Sequence, residues 1–452
     1  MNIKLPKNVM YIIDELENKG YEAYIVGGCV RDSILNRIPN DWDITTSATP
    51  YEVKEIFKRT IDTGIQHGTV TVMVDKSISK GGEHAFEVTT YRVDGKYEDH
   101  RRPKEVTFTA CLEEDLKRRD FTINAIAYSP YRGITDPFNG LRDIKYKIIN
   151  TVGNEHDRFK EDPLRILRAI RFEFQLDFDI TPNVYYGILR NSHLLQNISK
   201  ERTHSELNKM LLCDDAYVIK ELFEVGVLEE INKNFQHLYN VDQNNIHHKY
   251  NVFKHTIETV ANIENKIHLK LAALLHDIGK KDTKTTDENG IDHFYGHAER
   301  SCEIAKDILT DLRYDNKTID KVITLIKYHD RNVQPTRKSV KKFLNVLGNT
   351  ELFEDWMSLR WADILAQNPK YIKGKAKDLT MIELIYIEIA EEQQPVFLKD
   401  LDINGNDLIE IGYIVKEIGI MLNELLDIVI CNPTRNNRDY LLSVAKNKIK
   451  GE

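Results

Sequence analysis

No run of about 18 apolar residues occurs anywhere in these 452 residues, so no membrane span is expected. The opening residues lead into an amphipathic segment (Val9, Ile12, Ile13, Leu16) and not into a signal-peptide core. Cysteine is scarce and scattered: Cys29, Cys111, Cys213, Cys302 and Cys431 show no Cys-x-x-Cys spacing. That sets aside a disulfide framework and fits a reducing cytoplasm. Positive charge is not in excess either, with 63 Lys and Arg against 71 Asp and Glu and a net charge of −8. A uniformly basic nucleic-acid coat is thereby excluded, though a local basic surface suffices for phosphate contacts. Lys117-Arg-Arg119, Arg101-Arg-Pro-Lys104, Lys338 to Lys342 and Lys370 to Lys377 are the candidates. Each of them reads equally well as a solvated helix face or loop.

What is present is an ordinary globular composition, 41% hydrophobic and 30% charged, long enough for about three domains. Its most informative stretch starts with the apolar run Tyr24 to Val26, which stops at Gly27-Gly28. A short helical pattern follows (Val30, Ile34, Leu35), and then Asp41-Trp-Asp43. Glycines after a strand let backbone N–H groups approach an anion, and the next helix points its positive end there. On a strand, Asp41 and Asp43 share a face and aim two carboxylates at one point. Hard oxygen ligands of this kind, completed by substrate phosphates, suit Mg²⁺ and define a phosphoryl or nucleotidyl transfer site.

Further along, the end of the segment Thr63 to Val74 reads as a strand, paired antiparallel with residues 85–90 across a Gly81-Gly82 turn. Glu87 is thereby a candidate third carboxylate. The polar segment Tyr91 to Thr109 is a long charged connection of the functional or mobile kind. A helix is expected to open at Asp120 or Thr122, with Arg118, Arg119, Asp120 and Asn124 at its positive end, where donors for a triphosphate or ribose belong. From about residue 150 the pattern is helical. On one helix running from Glu161 to Phe172, Glu161, Asp162, Arg165 and Arg168 would fall within an arc of about 120°. Arg171 lands among apolar positions and needs a partner. Amphipathic helices continue over 201–212 and 218–228. A second constellation follows: His255, His276-Asp277, His297, His329 and Asp363. Some of the 15 histidines would fall at plausible positions by chance. A contiguous His-Asp after the apolar run Leu271 to Leu275, with four more ligand-type residues on helices, is harder to dismiss as a metal site. Helices are also read over 381–390 and 407–418, in a tail that offers no legible chemistry.

These motifs together resemble the class II transfer RNA nucleotidyltransferases, the family of CCA-adding enzymes and bacterial poly(A) polymerases. The resemblance is carried by Val26-Gly-Gly-Cys-Val-Arg-Asp32 with Asp41-Trp-Asp43, by Arg118-Arg-Asp-Phe-Thr-Ile-Asn-Ala125 and by Asp136-Pro-Phe-Asn-Gly140. Glu161-Asp-Pro-Leu-Arg165 through Phe172 and Lys200-Glu-Arg202 extend it. The second half resembles the HD phosphohydrolase superfamily.

The resemblance implies an α+β fold: a polymerase-β-like head with a small mixed sheet (1–145), then a helical neck and body (146–240), an HD-type domain (241–366) and a helical tail (367–452). It implies a cytoplasmic, membrane-free enzyme that adds CCA to the 3′ end of tRNA from CTP and ATP. Asp41 and Asp43 would be catalytic and bind Mg²⁺, and Gly28, Arg31 and Arg119 would hold the nucleotide. Asp162 and Arg165 would read the base, supported by Arg168 and Arg171. In the HD half, His255, His276, Asp277 and Asp363 would hold a transition metal, with His297 and His329 as candidates for a second. Asn251 stands where relatives can carry Asp. Poly(A) or A-only addition is the alternative activity; an HD nucleotide phosphohydrolase with an RNA-binding front half is another. The Tyr91 to Thr109 loop argues against CC-only addition, and the absence of a long basic extension after Lys450 leans toward CCA.

Overall fold

The structure is a computed structural model and describes residues 2–74, 84–95, 105–239, 241–244 and 249–449. The Gly81-Gly82 turn, the Arg101 to Lys104 stretch and residues 96–104 of the polar loop lie outside these. Two compact units divide the chain, Met1–Lys233 and Asn234–Glu452. Among the described residues, no helix is long and apolar enough to cross a membrane.

The first unit begins with the helix Lys7–Asn18, whose Val9, Ile12, Ile13 and Leu16 are fully buried, as their helical spacing requires. Among the described residues the strands of this unit are β1 (Ala23–Val26), β2 (Ile44–Thr46), β3 (Thr60–Gly64), β4 (Thr69–Val74), β5 (His84–Thr90), β6 (Arg92–Asp94), β7 (Val106–Phe108), β8 (Ala127–Ser129) and β9 (Gly133–Thr135), and a short parallel pair, β10 (Ile148–Ile149) and β11 (Asp179–Ile180). Seven form one mixed sheet in the order β3-β4-β5-β2-β1-β8-β9, while β6 and β7 pair separately. Within the sheet only β2 and β5 run parallel, with Ile44 opposite Val88. The strand at the end of the Thr63 to Val74 segment is β4, and it pairs antiparallel with β5 as expected. β1 is apolar and buried throughout, and its Tyr24 and Val26 pack with Tyr91, Leu116 and Ala127 in the core that supports the turn at Gly27.

Several expected elements differ. Asp41 and Asp43 stand on the extended lead-in to β2, not within a strand, because the ladder with β1 starts only at Ile44. The helix next to Arg118 precedes it: Leu112–Lys117 ends there, and Thr122–Asn124 is one 3₁₀ turn. Three acidic residues in the first turn of Leu112–Lys117 explain why it starts so early. The two arginines therefore follow the negative end of a helix dipole, where cations are favoured. The segment Glu161 to Phe172 is not one helix. Pro163 forces Asp162 out of the helical region (φ −146°, ψ 98°), ending Glu155–Glu161, and Leu164–Leu176 begins afresh. Likewise Gly226 (φ 72°) splits 218–228 into Val218–Glu224 and Val227–Ile231. In the second unit, Gly412 (φ 108°) lies between Gly405–Glu410 and Val415–Cys431, where 407–418 had read as one helix.

The Asp136 to Gly140 motif caps a helix. Asp136 accepts from the N–H groups of Gly140 and Leu141 at 2.7 and 2.9 Å, at the start of Gly140–Tyr146. A Cβ on Gly140 would collide with the Thr122 carbonyl oxygen and lie 2.7 Å from Ile126. Gly140→Ala is therefore expected to destabilise the chain by about 1–3 kcal/mol, the cost of overpacking, as read from urea denaturation midpoints.

Candidate functional site

Gly27 (φ 83°) turns the chain out of β1 into the short helix Gly28–Ile34. A side chain there would be strained, and its Cβ would stand 3.0 Å from Arg119 Nη1 and 3.8 Å from Asp43 Oδ2. The bare turn thus lets an arginine and a metal-type carboxylate pack against the backbone together. In the sequence the turn is read at Gly27 and Gly28 together, and the resemblance singles out Gly28; Gly27 bears the greater constraint.

Asp41, Asp43, Gly28, Arg31, Arg119, Arg168 and Arg171 all line one cleft of about 800 Å³. Asp43 is open to this cleft, yet enough protein surrounds it that burial raises its carboxyl above the ordinary range. Arg119 opposes that shift and the charge of Asp41 adds to it. Burial, then Asp43 and Asp41, raise the Glu87 carboxyl as well, so Glu87 feels both acids from β5.

Of the arginines lining the cleft, Arg31, Arg119, Arg168 and Arg171 each stand against an acid, whereas Arg37 donates to the Gln175 carbonyl. Arg31 is buried, donating to Asn124 Oδ1 at 2.7 Å and to Asp32 at 2.9 Å, with its guanidinium 4.9 Å from the Phe172 ring centre. Asn124 in turn donates to Asp120, which pairs with Arg168 at 2.6 Å. Burial would raise the Asp120 carboxyl, but Arg168 and Arg165 outweigh it and bring it down to about 2. Arg171, the residue out of pattern, has its partner: Glu206 accepts from Nε at 2.7 Å, both groups being buried. Breaking such a pair from one side costs about 3–5 kcal/mol. Asp115, fully buried, accepts two bonds from Arg118 at 2.8 and 2.9 Å and stands 3.6 Å from Arg119. Sequence reasoning does not single out Asp115 or Glu206. The i,i+3 and i,i+4 spacing of Asp115 to Arg118 and Arg119 was the available signal.

Asp162 and Arg165 do not line this cleft. Arg202 clasps both oxygens of Asp162 at 3.1 and 2.7 Å. Arg165 donates to Glu161 at 2.7 Å and to the carbonyls of Arg158 and Arg118.

The second unit brings its ligand-type residues together around Asp277. His255 is on Val252–Asn262, with Asn251 as that helix's cap, and His276 and Asp277 follow Ile267–Leu275. His297 starts His297–Asp311, His329 caps Asn316–Tyr328, and Asp363 is on Thr350–Leu365. Nδ1 of His276, His297 and His329 lies 2.7–2.8 Å from a backbone carbonyl, which can only accept, so in the neutral rings Nε2 carries the lone pair. Yet Nε2 of His297 and His329 are 3.2 Å apart, and Nε2 of His276 and His255 are 3.3 Å apart. Asp277 lies between, Oδ2 at 3.2 Å from His276 and Oδ1 at 3.5 Å from His297. Asp363 stands 3.2 Å from His255. Converging imidazole nitrogens beside two carboxylates are an arrangement able to hold a cation, and two overlapping groups meet it: His255, His276 and Asp277, and Asp277, His297 and His329.

Comparison with known proteins accords with this architecture. Residues 23–150 match the Poly A polymerase head domain, 177–238 the probable RNA and SrmB-binding site of polymerase A, and 245–367 the HD domain. The front of the chain is therefore similar to poly(A) polymerase heads, and the back to HD domains. Domains of both kinds generally use divalent metal ions.

More particularly, curated relatives include CCA-adding enzymes. That of Lactobacillus delbrueckii subsp. bulgaricus is 48% identical over 222 residues, covering 49% of this chain and 54% of that protein. That of Geobacillus stearothermophilus is 52% identical over 200 residues, covering 44% and 48%. The chain spans about half the length of the curated relatives it matches. A crystal structure of the Bacillus stearothermophilus CCA-adding enzyme in complex with CTP aligns over 99% of both chains, at 27% identity and a TM-score of 0.72. A Thermotoga maritima CCA-adding enzyme complexed with tRNA shares the fold, at 19% identity, a TM-score of 0.60 and coverage of 98% and 94%.

The helix that carries Arg165, Arg168 and Arg171 also carries Glu173, whose carboxyl burial and then Glu221 push up to about 7. A raised folded-state value means this stability is present in full below the ordinary glutamate range and lost as pH climbs through about 7. Thermal unfolding should therefore show Glu173→Gln losing less stability than the native chain between about pH 5 and about pH 8.

Proposed function

We propose that this chain adds C, C and A to the 3′ end of tRNA, using CTP and ATP and releasing pyrophosphate. The observation that carries this reading is the single cleft where Asp41 and Asp43 face Arg119 across the bare turn at Gly27. Its four working segments are 1–145, 146–240, 241–366 and 367–452, and the reading places the protein in the cytoplasm with tRNA as its partner.

Asp41 and Asp43 fit Mg²⁺, since two acids in one cleft, one already raised by burial, need a counter-cation once a triphosphate arrives. When bound, Mg²⁺ supplies charge stabilisation for the oxygens that attack and leave in line. Arg31, Arg119 and Gly28 seat the triphosphate, and the acids behind Arg31 and Arg119 keep those guanidinium groups from folding onto Asp41 and Asp43. Asp162 accepts the exocyclic amine of C or A, because a carboxylate oxygen keeps a lone pair beyond the one that Arg202 uses. Arg165 donates to the adjacent ring acceptor, for which its bond to Glu161 or to a carbonyl gives way. Arg168 and Arg171 brace the helix from which Arg165 acts. G and U present the reverse pattern of donor and acceptor and are rejected.

The converging imidazoles around Asp277 support a second activity, metal-dependent hydrolysis of phosphate esters. His255, His276, Asp277 and Asp363 fit one transition metal, and His297 and His329 share Asp277 toward another. Bound there, the metal supplies a water molecule activated for attack on phosphorus.

With a tRNA lacking its terminus, CTP, ATP and Mg²⁺, extension should stop after CCA. An open-ended ladder with ATP alone identifies poly(A) addition, and no extension refutes the reading. Asp43→Asn should slow extension on the order of a thousandfold or more, the scale of losing preorganised transition-state stabilisation. Arg165→Ala should blur the choice between C and A in competition assays more than it weakens tRNA binding; unchanged selectivity removes its base-reading role.

A further inference from the structure

The helix Ile372–Glu391 opens inside the basic stretch Lys370 to Lys377 and has no acidic residue in its first turn. Lys375 sits in that turn, at the positive end of the helix dipole, where a cation is disfavoured. Its ammonium is partly buried, and its hydrogen bond goes to a neutral group, Gln367 Oε1 at 2.7 Å. Gln367, itself buried, turns its other end to Asp363 Oδ1 at 3.1 Å. Arg360 donates to Asp363 Oδ2 at 3.2 Å, and Lys280 stands 2.7 Å from Asp277 Oδ2. Lys375 is thus one amide away from the His-Asp centre and within electrostatic reach of two further cations. Burial pushes its pKa down, Asp363 pushes it up, and Arg360 and Lys280 push it down again.

The nearby acids are already engaged. Asp277 faces four histidines and Lys280, and Asp363 serves His255, Gln367 and Arg360. Three cations share these two carboxylates, and every metal ion held by the histidines adds positive charge. A half-buried ammonium placed against a dipole and beside like charges is a local conflict of the sort that functional sites carry, and a dianionic ligand resolves it.

We propose that Lys375 binds the phosphate group of the ester taken by the His-Asp centre, so that a helix outside residues 245–367 supplies a substrate-binding arm to the HD domain. This rests on the reading of that centre as a phosphohydrolase. Phosphate fits better than a carboxylate because two negative charges meet the local excess and its oxygens accept the remaining ammonium hydrogens.

The test follows the thermal unfolding midpoint of the full chain, loaded with Mn²⁺, against inorganic phosphate, with acetate at equal ionic strength as the reference. The native chain should be stabilised saturably by phosphate and not by acetate. Lys375→Met should need about tenfold more phosphate, the loss expected for one hydrogen bond to a charged group, and Lys375→Arg should restore most of it. Phosphate held in the head cleft contributes equally to all three proteins. An equal phosphate response in Lys375→Met overturns the proposal, as does an equal loss in the exposed neighbour Lys373→Met, which would report general screening. With 4-nitrophenyl phosphate, Lys375→Met should raise KM far more than it lowers kcat. A native chain that responds to phosphate through Lys375 but turns over no ester refutes the hydrolase reading and leaves the anion site standing.

Discussion

Two carboxylates one residue apart repel each other, and the head of this protein holds Asp41 and Asp43 together in a cleft instead of letting them separate. Burial raises Asp43, and the neighbouring charge of Asp41 raises it further. An arginine folded directly onto the pair would relieve the strain and also block any metal ion. The turn at Gly27 sets the compromise: with no Cβ there, Arg119 comes near enough to moderate Asp43.

That compromise depends on a rear layer of acids. Asp115 holds Arg118 and stands behind Arg119, Asp120 holds Arg168, and Glu206 holds Arg171. Buried pairs of this kind contribute little net stability, because desolvation offsets most of their attraction. Their consequence is geometric: a guanidinium anchored from behind has one direction left in which to present donors. The back of the chain uses the same logic with imidazole. Carbonyls fix the Nδ1 hydrogens so that, in the neutral rings, the Nε2 lone pairs converge on Asp277.

Much of this was legible in the sequence because it is local. The apolar run before Gly27, the alternation in β4 and the spacing of Val9, Ile12, Ile13 and Leu16 each report a period that neighbours alone decide. Asp41 and Asp43 reach the cleft although no strand holds them, since extended backbone places alternate residues on one side with or without a ladder. Legibility failed where a single residue overrode a period. Pro163 broke the arc drawn from Glu161 to Arg168, and Gly226 and Gly412 broke two more helices. The acids in Leu112–Lys117 moved a helix to the opposite side of Arg118. Partners distant in sequence were the other gap. Arg171 announced the need for a partner, but nothing near it named Glu206, and Asp162 gave no sign of Arg202. Lys375 was visible only as one lysine in a basic run; its place beside Gln367 and Asp363 is a tertiary fact.

The claim beneath all of this is that Asp41 and Asp43 grip a divalent ion against a triphosphate seated at the Gly27 turn. A crystal of the protein soaked with CTP and Mn²⁺, with the metal located by anomalous scattering, addresses it directly. The account predicts a manganese peak touching both carboxylates and the triphosphate, with Arg119 on the phosphate oxygens. A nucleotide bound outside that cleft, or a metal that bypasses either acid, would contradict it.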